Sequence, residues 1–268
     1  MPSIKYLESD EMKYFVFSDI HGCINELNEA LKNNGYNPKD DNHKLLFLGD
    51  AFDKNKNDSG MLSFLLENIK NNKLIWVRGN HEIYLLNSLK NKKAGKFTTN
   101  TIKHLAKYYN KDIDDNNIDE CLNILINNNL YDFINNNTID YYELNNYVFV
   151  HSFIPFNKKD NTYNPNWRNM SFGAFIHENG IKRVLKDGIK IPNKTVVSGH
   201  VGCHYGNIMK YNPNIIFGSK EFEKIKYKIE KCPKNNLNYF QTFISNNIIG
   251  LDGRCYETGK VNILIVEE

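Results

Sequence analysis

The chain is poor in the residues that staple small proteins or anchor them in membranes. It has five cysteines in 268 residues, Cys23, Cys121, Cys203, Cys232 and Cys255, widely scattered and without a C-x-x-C pair. That excludes a disulfide framework and a zinc knuckle, so reduced thiols are the plain reading. No window approaches the ~20 apolar residues that a membrane-spanning helix requires. Residues 1–11 lack the apolar core of a secretory signal. A soluble cytoplasmic protein with no membrane partner is therefore expected. Charge of one sign is also scarce. A net charge of +3 is too small to signal nucleic-acid binding without a basic stripe, and the lysine-rich runs at 90–96 and 220–234 read as solvated faces.

What is present is a large apolar complement, 41% of residues with 13% aromatic, enough for a sizeable core in a single domain spanning 1–268. Three short apolar runs, 14–17, 44–48 and 74–77, read as strands, and each is followed by a block of metal-binding residue types. The blocks are Ser18-Asp19-Ile20-His21-Gly22, Gly49-Asp50-Ala51-Phe52-Asp53 and Arg78-Gly79-Asn80-His81-Glu82. Between them, Ile24, Leu27 and Leu31, and then 61–69, carry helical spacing. Strand and helix in alternation imply parallel strands with helical crossovers. Side chains at the C-terminal ends of such strands converge on one crevice. Residues 90–140 shift to Asn, Lys and Asp with helical patches at 102–109 and 118–126, and read as a helical insert over one edge of the site. The asparagine clusters 127–129 and 135–137 read as turns. Short runs in the second half, 147–150, 195–198, 240–245, 248–251 and 261–266, predict an antiparallel meander.

His151 and His200 end two of those later runs. Added to the earlier blocks, they make a donor set of carboxylate, imidazole and amide oxygen without thiolate, which suits hard or borderline divalent cations. Asp19 and His21 can hold one cation, and Asn80, His151 and His200 a second, with Asp50 bridging. Such a pair clamps a phosphoryl group and lowers the pKa of a bridging water, so that hydroxide attacks in line. The leaving alkoxide needs a proton, for which His81, oriented by Asp53, is the candidate donor. Arg78 and Arg168 are the candidate phosphate-gripping guanidiniums, and Lys54 can add a point charge. Glu82 reads as a loop support, and His177 and His204 as surface residues. Arg254, Tyr256 and Tyr163 are candidates for the substrate face.

These residues also carry a resemblance. The chain resembles the calcineurin-like metallophosphoesterases, in the phosphoprotein phosphatase branch that holds phage-type and bacterial Ser/Thr phosphatases and symmetrical dinucleoside tetraphosphatases. Ser18 to Gly22 matches G-D-x-H-G, 49–55 matches G-D-x-x-D-R-G in part, and Arg78 to Glu82 matches R-G-N-H-E in full. His151, His200, Trp167-Arg168 and Leu251-Asp252-Gly253 stand in the order of the later motifs. The resemblance implies an α/β fold, an αββα four-layer sandwich, and two divalent metal ions, with manganese first and iron or zinc as alternatives. Ser18 departs from a family glycine, and Lys54-Asn55 from Arg-Gly. Lysine lacks the bidentate fork, which points to weaker binding or a different substrate.

Three functional readings follow. The first is a Ser/Thr-type protein phosphatase acting on phosphorylated protein. The second is a hydrolase acting on a nucleotide substrate, as a symmetrical dinucleoside tetraphosphatase or a nucleic-acid end phosphatase, with the insert as a base-binding lid. The third is a catalytically weak phosphate-binding protein.

Overall fold

A computed structural model describes residues 11–54, 57–171, 173, 175–245 and 247–268. Asn55 lies outside the described residues, so the departure from Arg-Gly is seen at Lys54 alone.

Two five-stranded sheets form the centre. The first runs in the order β12 (Leu264–Glu267), β1 (Lys13–Phe17), β2 (His43–Phe47), β3 (Leu74–Val77), β4 (Thr138–Ile139). Its four strands β1 to β4 are parallel, as the alternation predicts, and β12 closes the edge antiparallel to β1. The crossovers are α1 (Ile24–Asn33), α2 (Asp58–Lys70) and, between β3 and β4, α3 (Asn80–Lys90), α4 (Thr99–Tyr109), α5 (Ile118–Asn127) and α6 (Leu130–Asn137). Helix α1 forms because Ile24, Leu27 and Leu31 fall on one buried stripe.

The 90–140 segment is more than a cover for the site. Ile102, Leu105, Leu122, Leu125, Leu130 and Ile134 are buried in the same core as Phe15, Phe47 and Trp76 of the first sheet. Asn135 to Asn137 end helix α6 instead of forming a turn, because Leu130 and Ile134 anchor that helix in the core.

The second sheet runs β10 (Phe243–Ile244), β11 (Ile248–Gly250), β9 (Thr195–Ser198), β6 (Tyr147–Val150), β5 (Tyr141–Leu144). The expected antiparallel meander holds only at its edges, where β10 pairs with β11 and β5 with β6. The central strands β6, β9 and β11 are parallel. The chain between them leaves the sheet through the small hairpin β7 (Phe156–Asn157) and β8 (Thr162–Tyr163), then α7 (Gly180–Leu185), and later through α8 (His204–Tyr211) and α9 (Lys220–Lys231). A helix α10 (Cys255–Thr258) precedes β12.

The layers are defined by three cores. Tyr14, Val16, Leu46 and Val77 of one sheet pack against Phe149, Val197, Ile249 and Leu251 beside or within the other. A second core joins the first sheet to its helices, and a third joins β6, β9 and β11 to α7, α8 and α9. The result is an α/β αββα sandwich. Because β1, β2, β3, β6, β9 and β11 all end at one rim, the residues that follow them meet there.

Candidate metal centre

Six strand ends supply the rim: Asp19 after β1, Asp50 after β2, Asn80 after β3, His151 after β6, His200 after β9 and Asp252 after β11. Their loops turn sharply. Asp19, His21, Asp50, Asp53, Lys54, His200 and Arg254 all have φ between 47° and 74°, in the left-handed region, whereas among the described residues the remaining non-glycine ones of that kind are five asparagines and Lys92. Left-handed backbone concentrated at one rim marks a site where side-chain direction outweighs local conformational cost.

Asp50 lies at the centre. Its Oδ2 is 3.7 Å from His21 Nε2 and 3.8 Å from His81 Nε2, and its Oδ1 is 3.4 Å from His151 Nε2. Two donor groups share it, His21-Asp50-His81 and Asp50-His151-His200, each with ligand atoms within 4.8 Å of one another. Asn80 joins the second group, its Oδ1 lying 2.9 Å from both His151 Nε2 and His200 Nδ1. Asp19 sits at the margin, where its Oδ2 accepts from the His200 backbone N–H at 2.8 Å and from the Ser18 hydroxyl.

The ring nitrogens facing away from the centre are held by carbonyls. His21 Nδ1 lies 2.8 Å from Phe52 O, and His151 Nδ1 lies 2.7 Å from Leu48 O. A carbonyl can only accept, so both Nδ1 atoms carry a proton and both Nε2 atoms point inward. His151 Nε2 then faces the oxygens of Asn80 and Asp50 in a buried place. His21 Nε2 instead meets the Lys54 ammonium at 3.1 Å. Inward lone pairs and carboxylate oxygens, with one ammonium standing in as the cation, fit divalent metal ions.

The electrostatics agree. Burial drives His21 and His200 down to about 3, aided by Lys54 and by His151 respectively, which keeps both imidazoles neutral. Burial also pushes Asp50 up, but His151, His81 and His21 outweigh it and hold the carboxyl well below the usual range. Asp19 is raised by burial and then by the neighbouring charges of Asp252 and Asp50. Two buried carboxyls so close to a third call for positive charge.

His81 is placed differently. Its Nδ1 is 3.0 Å from Asp53 Oδ2. Burial lowers its pKa, yet the Asp50 charge and the Asp53 hydrogen bond more than compensate, so its pKa is raised overall. Its protonated form is therefore favoured beside the cluster.

Glu82 ties the loops together. One oxygen accepts from Asp50 N at 2.9 Å and Gly79 N at 2.7 Å, and the other from Ala51 N at 2.8 Å. Three backbone donors explain why a carboxylate is wholly buried at the start of α3.

Two of the sequence candidates do not join the cluster. Arg78 gives its Nε to Thr138 Oγ1 at 2.6 Å and one terminal nitrogen to Asn135 O at 3.0 Å, fastening α6 and β4 to β3. Arg168 forms a bidentate pair with Glu143 of β5, at 2.5 and 2.8 Å, and lies over the Trp167 ring. His204 is buried, not superficial, with Nε2 3.1 Å from Glu230 Oε1. His177 is exposed, yet its ring stands 6.3 Å from that of His200.

Sequence reasoning placed Asp252 only in a turn near the site. The structure brings it among the buried carboxyls at the rim, with its Oδ1 accepting from Arg254 N at 2.7 Å. Beside it opens a recess of about 270 Å³ lined by Lys54, Arg254, Tyr256, Tyr205, His200 and Asp252. Lys54 also lies 4.5 Å over the Tyr256 ring. Arg254, with Glu257 at 2.7 Å and Glu230 at 3.3 Å, is the guanidinium beside the cluster.

Comparison with known proteins adds relatives. A bis(5'-nucleosyl)-tetraphosphatase, asymmetrical, of Bacillus cereus is 35% identical over 77 residues, which cover 26% of this chain and 31% of that protein. The chain thus spans about a third of the curated relatives it matches. A cold-active protein-tyrosine phosphatase of Shewanella aligns over 95% of this chain and 75% of its own, at 13% identity and a TM-score of 0.47. A protein serine/threonine phosphatase of Saccharomyces cerevisiae aligns over 75% and 64%, at 16% identity and a TM-score of 0.42. The family model for calcineurin-like phosphoesterases matches residues 12–232, a span that takes in every rim residue except Asp252. The chain belongs to the calcineurin-like phosphoesterase family.

Proposed function

We propose that this phosphoesterase works with two divalent cations, held by Asp19 and His21 on one side and by Asn80, His151 and His200 on the other, with Asp50 shared. Bound there, the cations would neutralise ester oxygens and activate water. The observation that carries this reading is His151 Nε2, turned inward by the Nδ1 contact with Leu48 O and facing the oxygens of Asn80 and Asp50. His81 holds a proton beside the cluster and delivers it to the departing oxygen. Asp53 orients the His81 ring and sustains its charge. Manganese is the metal proposed first.

For the substrate, the side chains around the cluster favour the nucleotide reading over the phosphoprotein one. The arginines expected to grip a phosphoserine, Arg78 and Arg168, are engaged with Thr138 and Glu143. The recess instead places two cations next to the cluster, Lys54 and an Arg254 held by Glu257 and Glu230, beside two phenols, Tyr256 and Tyr205. That pairing suits a leaving group bearing a further phosphate. The relatives named as bis(5'-nucleosyl)-tetraphosphatases support the same choice.

The test is a side-by-side assay of the manganese-loaded protein on diadenosine tetraphosphate and on a phosphoserine peptide, with a chelator control and separation of products. Chelator-sensitive preference for the dinucleotide is expected. Preference for the peptide would restore the protein phosphatase reading, and two bound metals without turnover of either would favour a phosphate-binding protein.

A further inference from the structure

We propose that a second recess, on the α3 side of the cluster, binds the planar base of the substrate. This rests on the nucleotide reading and extends it to a site with its own residues. The recess has a volume of about 330 Å³ and lies between the last two turns of α3 and the loop that leads to α4. Its apolar wall is made of Tyr84 and Phe97, whose rings stack at 5.4 Å with 25° between their planes. Phe97 is 52% exposed, a large aromatic left to water. His177 faces Tyr84 from another loop at 6.3 Å, again with 25° between planes.

These rings form a path from the cluster to solvent. Tyr84 lies one turn after His81 in α3, and its ring meets the His81 ring edge to face at 5.4 Å. His177 stands 6.3 Å from His200. A planar group stacked on this shelf therefore has its attached phosphate directed to the rim, between the proton donor and the second donor group.

The edges of the recess are polar. Asn87 and Asn91 bring amides with both donors and acceptors, as the edge of a heterocycle requires, and Lys93 and Lys96 bring positive charge. Lys96 lies 5.7 Å over the Phe97 ring. The shelf is also built before any ligand arrives. Thr98 Oγ1 accepts from Gly95 N at 2.8 Å and lies 2.7 Å from Ser88 Oγ, which pins the loop carrying Phe97 to α3. A ring fixed in advance loses little entropy on stacking. An apolar wall with convergent polar edges is the usual form of a small-molecule site, and aromatic faces accept any base.

Phe97→Ala is the test, since the side chain is exposed and is not one of the rim residues. The expected result is a Michaelis constant for diadenosine tetraphosphate raised roughly tenfold with kcat unchanged, and unaltered kinetics on glycerol 2-phosphate, which has no ring. Equal effects on both substrates, or none on the dinucleotide, would overturn the proposal. Phe97→Trp should retain the wild-type constant. Both natural tryptophans are buried, so its fluorescence should be quenched on addition of adenosine monophosphate. That signal needs no turnover. If the wild type cleaves no nucleotide, the substrate reading falls, and absence of quenching would then dismiss the recess as well, whereas saturable quenching would uphold it.

Discussion

Lys54 places its ammonium 3.1 Å from His21 Nε2, on the lone pair that points into the cluster. The family's guanidinium position thus holds a flexible point charge that would compete with a cation for one histidine. Lys54→Met should raise affinity for the metal at that side on the order of tenfold by removing a like charge. It should also raise the Michaelis constant for a phosphate substrate. Calorimetric titration with manganese reads the first effect, and unchanged affinity would show that the ammonium moves aside without cost.

His81 and Asp53 form a second close pair, at 3.0 Å. His81→Asn should leave metal content intact while lowering kcat for poor alkoxide leaving groups by ~10² to 10⁴. The loss should be much smaller for nitrophenolate, which leaves without a proton. Equal losses on both substrates would rule out proton donation by this ring.

Gly199 is a position of close approach. A Cβ there would lie 1.7 Å from Ser18 Oγ and 2.1 Å from Asp19 Oδ2. Gly199→Ala must displace the Ser18 and Asp19 side chains or the His200 loop, so one metal should be lost with the fold retained. Metal analysis together with an unchanged far-ultraviolet circular dichroism spectrum would verify it. Two full equivalents of metal would contradict it.

Glu82→Gln replaces a carboxylate that accepts three backbone N–H groups, and the amide nitrogen cannot accept. Charge-assisted bonds are worth about 1.5 to 3 kcal/mol each. The variant should lose on the order of 2 to 4 kcal/mol of stability and bind metal more weakly, because the loops of Asp50 and Asn80 lose their shared clamp. Chemical denaturation measures the first effect.

Glu143 gives an acid-range prediction. Arg168 first, and Lys194 as well, hold its carboxyl down at about 2, below the ~4.3 of an unperturbed glutamate. A depressed pKa contributes stability that is complete above the unfolded value and is lost as pH falls through the folded one. Wild-type Tm should therefore fall between about pH 5 and pH 2 with a component that Glu143→Gln lacks. The contribution is modest because the pair is partly solvated. Parallel slopes for the two proteins would refute it.

Much of the candidate site was legible because its parts are local. The blocks after β1, β2 and β3 need only an apolar run, a sharp turn and a donor side chain. The helical spacing of α1 and α2 is equally short-ranged. His151 and His200 were readable for the same reason, each ending a short apolar strand. Asp252 was less so, since its turn carries no ligand pattern until Asp19 stands beside it.

Side-chain type and hydrophobic period, properties of a few neighbouring residues, thus determined which side chains are candidate donors and the elements that carry them. The tertiary structure alone decided that β6, β9 and β11 run parallel and bring His151, His200 and Asp252 to the rim of β1, β2 and β3. Strand direction depends on what packs across a sheet, not on the strand's own period. It likewise decided that Arg78 fastens Thr138 and Arg168 pairs with Glu143 while Lys54 and Arg254 face the recess. A guanidinium's partner can lie dozens of residues away, and burial between layers, which no local pattern encodes, selects it.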